Sequence, residues 1–322
     1  MIGIELTPEH PVERMGALGA AAEAAGFEAA LASCHYNNRD PFVALSRIAR
    51  ETESIALGPG VANPYETHPV SLASRVATLS EASGGRAVFG IGPGDRSTLA
   101  SLGVEGERPL RRVLEAFKIA QELFSGERVD HDGTFSAENA ALNYEVDEVP
   151  IYVGAQGPHM LRMSAKHADG VLYNGAHPDD VTWAAGQVER GLDERPEERG
   201  SFDFTVFAST SVATEREEAV EAARPPVAFI AAGAAPPVLD RHGIDAERAE
   251  EIGERLSAGS YTETFSLVTE PMIEAFCVAG TPEEVEERFE EILETADGIV
   301  VGSPLGPELE EAISLTGNAL SR

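Results

Sequence analysis

The chain has 322 residues, 43% of them hydrophobic, which is enough for a sizeable core; 24 basic against 55 acidic side chains leave a formal charge of −31. A surface this acidic repels nucleic-acid backbones and anionic lipid, so neither is an expected partner, and its dispersed carboxylates suit a very saline cytoplasm. The two cysteines, Cys34 and Cys277, lack metal-ligand spacing, so no metal is expected; with no charged and apolar leader pattern at the start, a reducing cytoplasm fits.

Ile2-Gly-Ile-Glu5-Leu6 alternates as a first strand with Glu5 near its carboxyl end, and Pro8 and Pro11 open an alanine-rich helix running to about Ala25. A lone Glu is more often a solvated or salt-bridged carboxylate; its place in an apolar strand marks Glu5 as a site residue instead. Phe27 to Ser33 forms a second strand ending in the polar loop Cys34-His35-Tyr-Asn-Asn-Arg39, a plausible ligand contact. Cys34 and His35 are neighbours and face opposite ways, which argues against a cysteine nucleophile. The third strand ends in Gly58-Pro-Gly-Val-Ala-Asn-Pro-Tyr65, where two X-Pro steps stiffen either a plain connection or a ring-binding wall; His68-Pro69 then lead into a helix ending near Ser83.

Arg86 to Asp95 is the focal stretch. Its apolar run Ala87, Val88, Phe89 and Ile91 reads as a strand covered on both faces, Gly92, Pro93 and Gly94 allow close backbone approach to a ligand, and Asp95 sits at the strand's carboxyl end. Leu110 to Ser125 is an amphipathic core helix, and Arg128 to Thr134 reads as a turn between two strands of an excursion near 127–148. Val149 to Val153 is a strand, Gly154-Ala-Gln-Gly-Pro158 its terminal loop, and Met160 to His167 a helix. Small residues there expose backbone N–H groups to a phosphate, although glycine at such a turn is as often steric. Asp169 to Gly175 is a further strand ending in Asn174 and Gly175.

A helix from His177 to about Ser201 ends in the charged tract Glu189 to Arg199, which shows no role in the sequence. Phe204 to Val212 is the next strand, followed by a longer insertion near 224–280. Within it the uncharged, proline-broken segment Pro225 to Leu239 is too short to span a bilayer, which takes about 20 apolar residues. Such a segment needs cover, from a substrate pocket or from a second subunit, so a homodimer or homotetramer is expected. Thr281-Pro282-Glu-Glu284 starts a capped helix, Ile299 to Val301 is the last strand, and Gly306-Pro307 begins the closing helix. Strands ending in Gly and Pro alternate with amphipathic helices throughout, without a linker. The pattern predicts one domain over 1–322, a (β/α)₈ TIM barrel with its site at the mouth.

Several long motifs, in order, carry a resemblance: His35-Tyr-Asn-Asn-Arg39, Gly58 to Tyr65, Ser83 to Asp95, Gly154 to Pro158, Val227-Ala-Phe-Ile-Ala-Ala-Gly233 and Gly302-Ser-Pro-Leu-Gly-Pro307. Through them the chain resembles the luciferase-like flavoproteins and, within these, the methylenetetrahydromethanopterin reductases that use the deazaflavin coenzyme F420. The resemblance implies hydride transfer from reduced F420 to a 5,10-methylene-tetrahydropterin, methanopterin or folate, in a halophilic archaeon. It implies Glu5 and Asp95 as active-site acids, with mutual repulsion raising one pKa, Glu5 being the proton donor. It also implies His35, Gly60, Val61, Asn63, Gly92, Pro93, Gly94, Asn174 and Gly175 as deazaflavin contacts, with Gly60-Val61 a cis peptide. Gly154, Ala155, Gln156 and Gly157 match the coenzyme's phosphate and tail region, and Gln156 and Phe229 the substrate side. One departure is Cys34, where relatives commonly carry an acid. Runner-up readings are an F420-dependent alcohol or sugar-phosphate dehydrogenase with His35 as base, and a non-catalytic deazaflavin-binding protein.

Overall fold

The structure is a computed structural model describing residues 1–320. In chain order its strands are β1 (Ile2–Glu5), β2 (Ala29–Ala32), β3 (Ala56–Pro59), β4 (Phe89–Ile91), β5 (Val129–Asp132), β6 (Ser136–Ala140), β7 (Ile151–Ala155), β8 (Gly170–Asn174), β9 (Asp203–Val212), β10 (Val278–Gly280) and β11 (Gly298–Leu305). The parallel order β3-β2-β1-β11-β9-β8-β7-β4 wraps into a barrel, and the bridges Leu57–Ala87 and Ala62–Ile91 join its two ends. That closure depends on glycine: a β-carbon at Gly58 would overlap the Val88 carbonyl, and one at Gly90 the Pro59 carbonyl. β10 pairs with the end of β9, while β5 and β6 form a separate antiparallel hairpin.

The helices are α1 (Val12–Ala24), α2 (Pro41–Glu51), α3 (Pro69–Ser83), α4 (Arg96–Ser101), α5 (Pro109–Phe124), α6 (Pro158–His167), α7 (Pro178–Leu192), α8 (Arg216–Gly233), α9 (Pro236–Arg241), α10 (Ala246–Ser257), α11 (Tyr261–Phe265), α12 (Glu270–Phe276), α13 (Pro282–Leu293) and α14 (Leu309–Leu320). Many open on one device, a capping side chain followed by proline: Asp40 before α2, His68 before α3, His177 before α7, and Thr281 before α13, where Thr281 and Glu284 complete a capping box. Proline's fixed φ and missing N–H cost nothing at a helix's first turn, so the sequence marks these starts sharply.

Strand alternation sorts side chains into two cores. Leu31, Val88, Leu172 and Val300 fill the barrel interior with Ala56, Val61, Tyr152 and Phe207 around them. Their strand neighbours Ala30, Phe89, Val171, Val301 and others face outward into the layer beneath the helices. A third cluster, built from Val227, Ala228, Ala231, Leu239, Ile252, Met272 and Phe276, holds α8 to α12 together.

Four expectations change. The stretch 128–134 is mostly strand β5, with the turn at Gly133 to Phe135, because Val129 is buried and pairs with Ala140. The segment from Pro225 to Leu239 breaks later than its first prolines suggest, between Gly233 and Pro236: α8 runs through Pro225 and Pro226 because Ala223, Val227, Ala228 and Ala231 bury a continuous stripe against α10 and α12. Its cover on that side thus comes from its own chain. The helix after His177 stops at Leu192, and the charged tract beyond it has a structural role. Arg195 donates to the carbonyls of Ala165, Ala168, Arg199, Gly200 and Ser201, tying off the end of α6. At the close of the chain β11 extends to Leu305, so α14 starts only at Leu309.

Candidate active site

Glu5 is the last residue of β1, two positions beyond Gly3, whose missing β-carbon leaves room for Val300 of the barrel interior. The two-residue period therefore aims the Glu5 carboxyl into the barrel's upper layer. Glu5 Oε2 accepts the Ser303 N–H at 3.0 Å and Thr7 Oγ1 lies 3.5 Å from Oε1. Only glycine fits at 302, since a β-carbon there would come within 2.8 Å of the Phe207 ring and 3.2 Å of Glu5 Oε2. Burial raises the Glu5 pKa above the ordinary 4.5; the Ser303 N–H, the Ser33 hydroxyl, His35 and Thr7 act the other way without cancelling it. Ser33 stands two positions past the interior residue Leu31 and is buried with no well-formed hydrogen bond of its own.

The cis peptide Gly60–Val61 turns the chain inward at the end of β3. Three glycines from two other strands make room for the Val61 side chain: β-carbons at Gly90, Gly92 and Gly154 would come within 3.3, 2.7 and 3.2 Å of its methyl groups. Gly92 and Gly154, expected to serve a ligand or an anion directly, thus serve Val61 first. Gly94 has φ +75°, a conformation natural only to glycine, and lies against Asn63. Asn63 is buried and folds its own loop, accepting from the N–H groups of Tyr65 and Glu66 and donating to Glu66 Oε1 at 2.6 Å. Gly157 differs from its neighbours, because open space surrounds its missing β-carbon and it begins α6 without a side-chain cap.

Asp95 caps α4: its carboxylate accepts the Thr98 N–H at 2.8 Å and the residue is exposed. The largest cause of the raised Glu5 pKa is burial. Asp95 is tied to Glu5 through Thr98, because Thr98 Oγ1 meets His35 Nδ1 at 3.3 Å and the field of His35 acts on Glu5.

The chain is thus a barrel of parallel strands with a half-buried acid at the end of β1 and a non-prolyl cis peptide at the end of β3. Residues 2–297 match the luciferase-like monooxygenase family. The chain belongs to that family. It is 40% identical over 324 residues to the 5,10-methylenetetrahydromethanopterin reductase of Archaeoglobus fulgidus, covering 99% of this chain and 98% of the relative. It is 38% identical to the enzyme of the same name from Methanopyrus kandleri, over 98% and 96% of the two chains. The solved structure of the coenzyme F420-dependent tetrahydromethanopterin reductase of Methanopyrus kandleri superposes with a TM-score of 0.92 at 36% identity, covering 99% and 97%. An F420-dependent secondary alcohol dehydrogenase shares the fold at TM-score 0.78 and 18% identity, covering 99% and 98%.

In this luciferase-like barrel the residues singled out in the sequence divide into three groups. His35 acts on Glu5 by its field, Val61 packs over Gly92 and Gly154, and Asn63 lies against Gly94, with Pro93 between Gly92 and Gly94. Gln156 and Asn174 stand exposed at the ends of β7 and β8, and Gly175 accommodates the Tyr173 ring, 2.6 Å from where its β-carbon would be. Ala155 is buried as the last residue of β7. Phe229 is 54% exposed on α8, its ring 6.5 Å from that of Tyr261. Sequence reading missed Ser33, Thr98, Phe207 and Ser303. The first was within reach, because the alternation that aims Leu31 inward also aims Ser33.

Proposed function

We propose that this protein is a coenzyme F420-dependent reductase of a 5,10-methylene-tetrahydropterin, in which Glu5 is the general acid. The observation that carries the reading is a half-buried carboxyl group on an inward-facing strand position at the barrel mouth, held by the Ser303 N–H and partly desolvated, so that its neutral, proton-giving form is favoured. Full-length likeness to the methylenetetrahydromethanopterin reductases supports the substrate class.

A bridging methylene group resists hydride until one C–N bond opens. Glu5 gives its proton to the departing pterin nitrogen, the bond breaks toward that nitrogen, and a methylene iminium forms on the other. When bound, reduced F420 supplies the hydride that turns this carbon into the 5-methyl group. The Glu5 carboxylate left behind is received by the Ser303 N–H and the nearby Ser33 and Thr7 hydroxyls. The residues present fit such a coenzyme. Val61 offers an apolar wall beside His35, Asn63 and the Gly92, Pro93 and Gly94 turn, and the uncapped start of α6 at Gly157 leaves N–H groups and open space for an anionic tail. Gln156, Asn174 and Gly175 line the rim, and Phe229 is kept as a substrate contact only on the resemblance. Asp95 holds Thr98, and through it His35.

The charge of −31 supports a saline cytoplasm and a halophilic source, and the exposed Phe229 and Tyr261 rings that the insertion leaves uncovered support assembly as a homo-oligomer of one barrel domain spanning 1–322. No described helix is long and apolar enough to cross a membrane. The test is oxidation of reduced F420, followed by absorbance in molar KCl, with methylene-tetrahydromethanopterin and with methylene-tetrahydrofolate. Turnover with at least one is the expected result; no turnover with either, alongside reduction of oxidised F420 by an alcohol or sugar phosphate, would favour the dehydrogenase reading.

A further inference from the structure

The loop that carries Val61 and Asn63 is held from outside by one residue of α5. The Arg112 guanidinium lies between two rings, 4.7 Å from the Tyr65 centroid and 4.3 Å from that of Phe135. Its Nε donates to the buried Pro64 carbonyl at 3.2 Å and Nη1 to the Thr134 carbonyl at 3.5 Å. Pro64 and Tyr65 belong to the loop after β3; Thr134 and Phe135 belong to the turn between β5 and β6. The same two segments meet again where His68 stacks edge-on with Phe135 at 5.7 Å and its Nε2 lies 3.2 Å from the Ser136 carbonyl. Tyr65 is further fixed by its hydroxyl, which donates to the Glu107 carbonyl at 2.7 Å.

Of all the side chains involved, Arg112 alone touches both segments through stacking and hydrogen bonding at once. A planar guanidinium can stack on two faces and donate in its own plane together, which an ammonium cannot. Two residues before Tyr65 stands Asn63, and four before it the cis-linked Val61, whose side chain fills the space left by Gly90, Gly92 and Gly154.

We infer that Arg112 is a positioning residue for coenzyme binding: it braces the Val61 to Asn63 wall against α5 and gives the β5–β6 hairpin its purpose in the fold. The inference rests on the proposed role of that wall in holding F420. A loop held in its bound shape loses less freedom on binding, so the brace acts on affinity for the coenzyme and not on proton transfer at Glu5.

The test uses the full chain, with Arg112→Lys and Arg112→Met beside wild type, in molar KCl. Calorimetric titration with oxidised F420 gives coenzyme affinity, steady-state assays give kcat and both KM values, and circular dichroism gives the melting temperature. The inference predicts that both variants bind F420 about tenfold more weakly, equivalent to about 1.4 kcal/mol. Coenzyme KM rises in step, while kcat and pterin KM hold. Arg112→Lys keeps the charge, so its failure to rescue assigns the effect to the planar stack. Unchanged coenzyme affinity in both variants would overturn the inference, as would a lowered melting temperature with both KM values unmoved, the mark of a purely structural residue. Wild type that fails to bind F420 at all would instead sink the functional reading beneath it.

Discussion

Two glutamates at opposite ends of the barrel show how one residue type is put to two uses. Glu5 lies half-buried where β1 ends, with one backbone N–H as its firm partner, and desolvation raises its pKa. Glu23 lies on α1 near the other end of the strands. Its partial burial alone would raise its pKa, but the N–H groups of Ser54, Ile55 and Glu53 and the Ser54 hydroxyl hold it down at about 2. The supply of donors decides the outcome. A carboxylate given four hydrogen-bond donors is a structural anchor for the turn into β3; one given fewer, and partly desolvated, is kept as an acid. The contrast follows the division of barrels of this kind into a mouth for chemistry and a base for stability.

Substituting each in turn should break the comparison most plainly. Glu5→Gln keeps an acceptor for Ser303 but has no proton to give, so kcat/KM should fall about 10² to 10⁴-fold, the usual worth of a positioned acid. Glu23→Ala should leave kcat/KM unchanged when assayed well below its melting temperature. Next in size, Glu23→Ala should lower the free energy of unfolding in urea by about 1–3 kcal/mol, because the part-buried Ile55 N–H loses its acceptor.

The two groups should also pull in opposite directions with pH. Glu23 has a lowered folded pKa, so its contribution is present above pH 4.5 and is lost as pH falls toward about 2. Glu5 has a raised folded pKa, so its burial is tolerated best below pH 4.5, and stability drops as pH rises through its folded value. Glu5→Gln should therefore gain stability over wild type at higher pH and not at low pH, as urea unfolding at a series of pH values would show. The smallest effect is expected at Asp95. Asparagine caps a helix about as well as aspartate, so Asp95→Asn should leave the high-pH limb of kcat/KM where wild type has it. A displaced limb would restore a direct electrostatic role for Asp95.

Much of this architecture was legible because its signals are local. Thr281-Pro282-Glu-Glu284 announces a capped helix, Ile2 to Leu6 alternates, and Gly58 and Gly90 sit where strands end. Glu5 was legible for the same reason, as a charge in an inward-facing strand position. What stayed hidden depends on pieces far apart in the chain. Nothing near Gly92 or Gly154 says that one Val61 side chain occupies the space over both, and spacing alone does not show that Asp95 turns back to cap Thr98. Pro225-Pro226 reads as a break until the stripe of Ala223, Val227 and Ala231 is seen against α10 and α12. Arg195 looks like one more surface charge until five carbonyls converge on it. The cis peptide came by resemblance, not by any feature of its own sequence.

The protonation state of Glu5 can be read directly by infrared difference spectroscopy of wild type against Glu5→Gln across a pH titration, using the carbonyl stretch of a neutral carboxylic acid. A band belonging to Glu5 that persists above pH 4.5 is the predicted result. A band that vanishes at or below that value would show an ordinary solvated carboxylate and contradict its assignment as the acid.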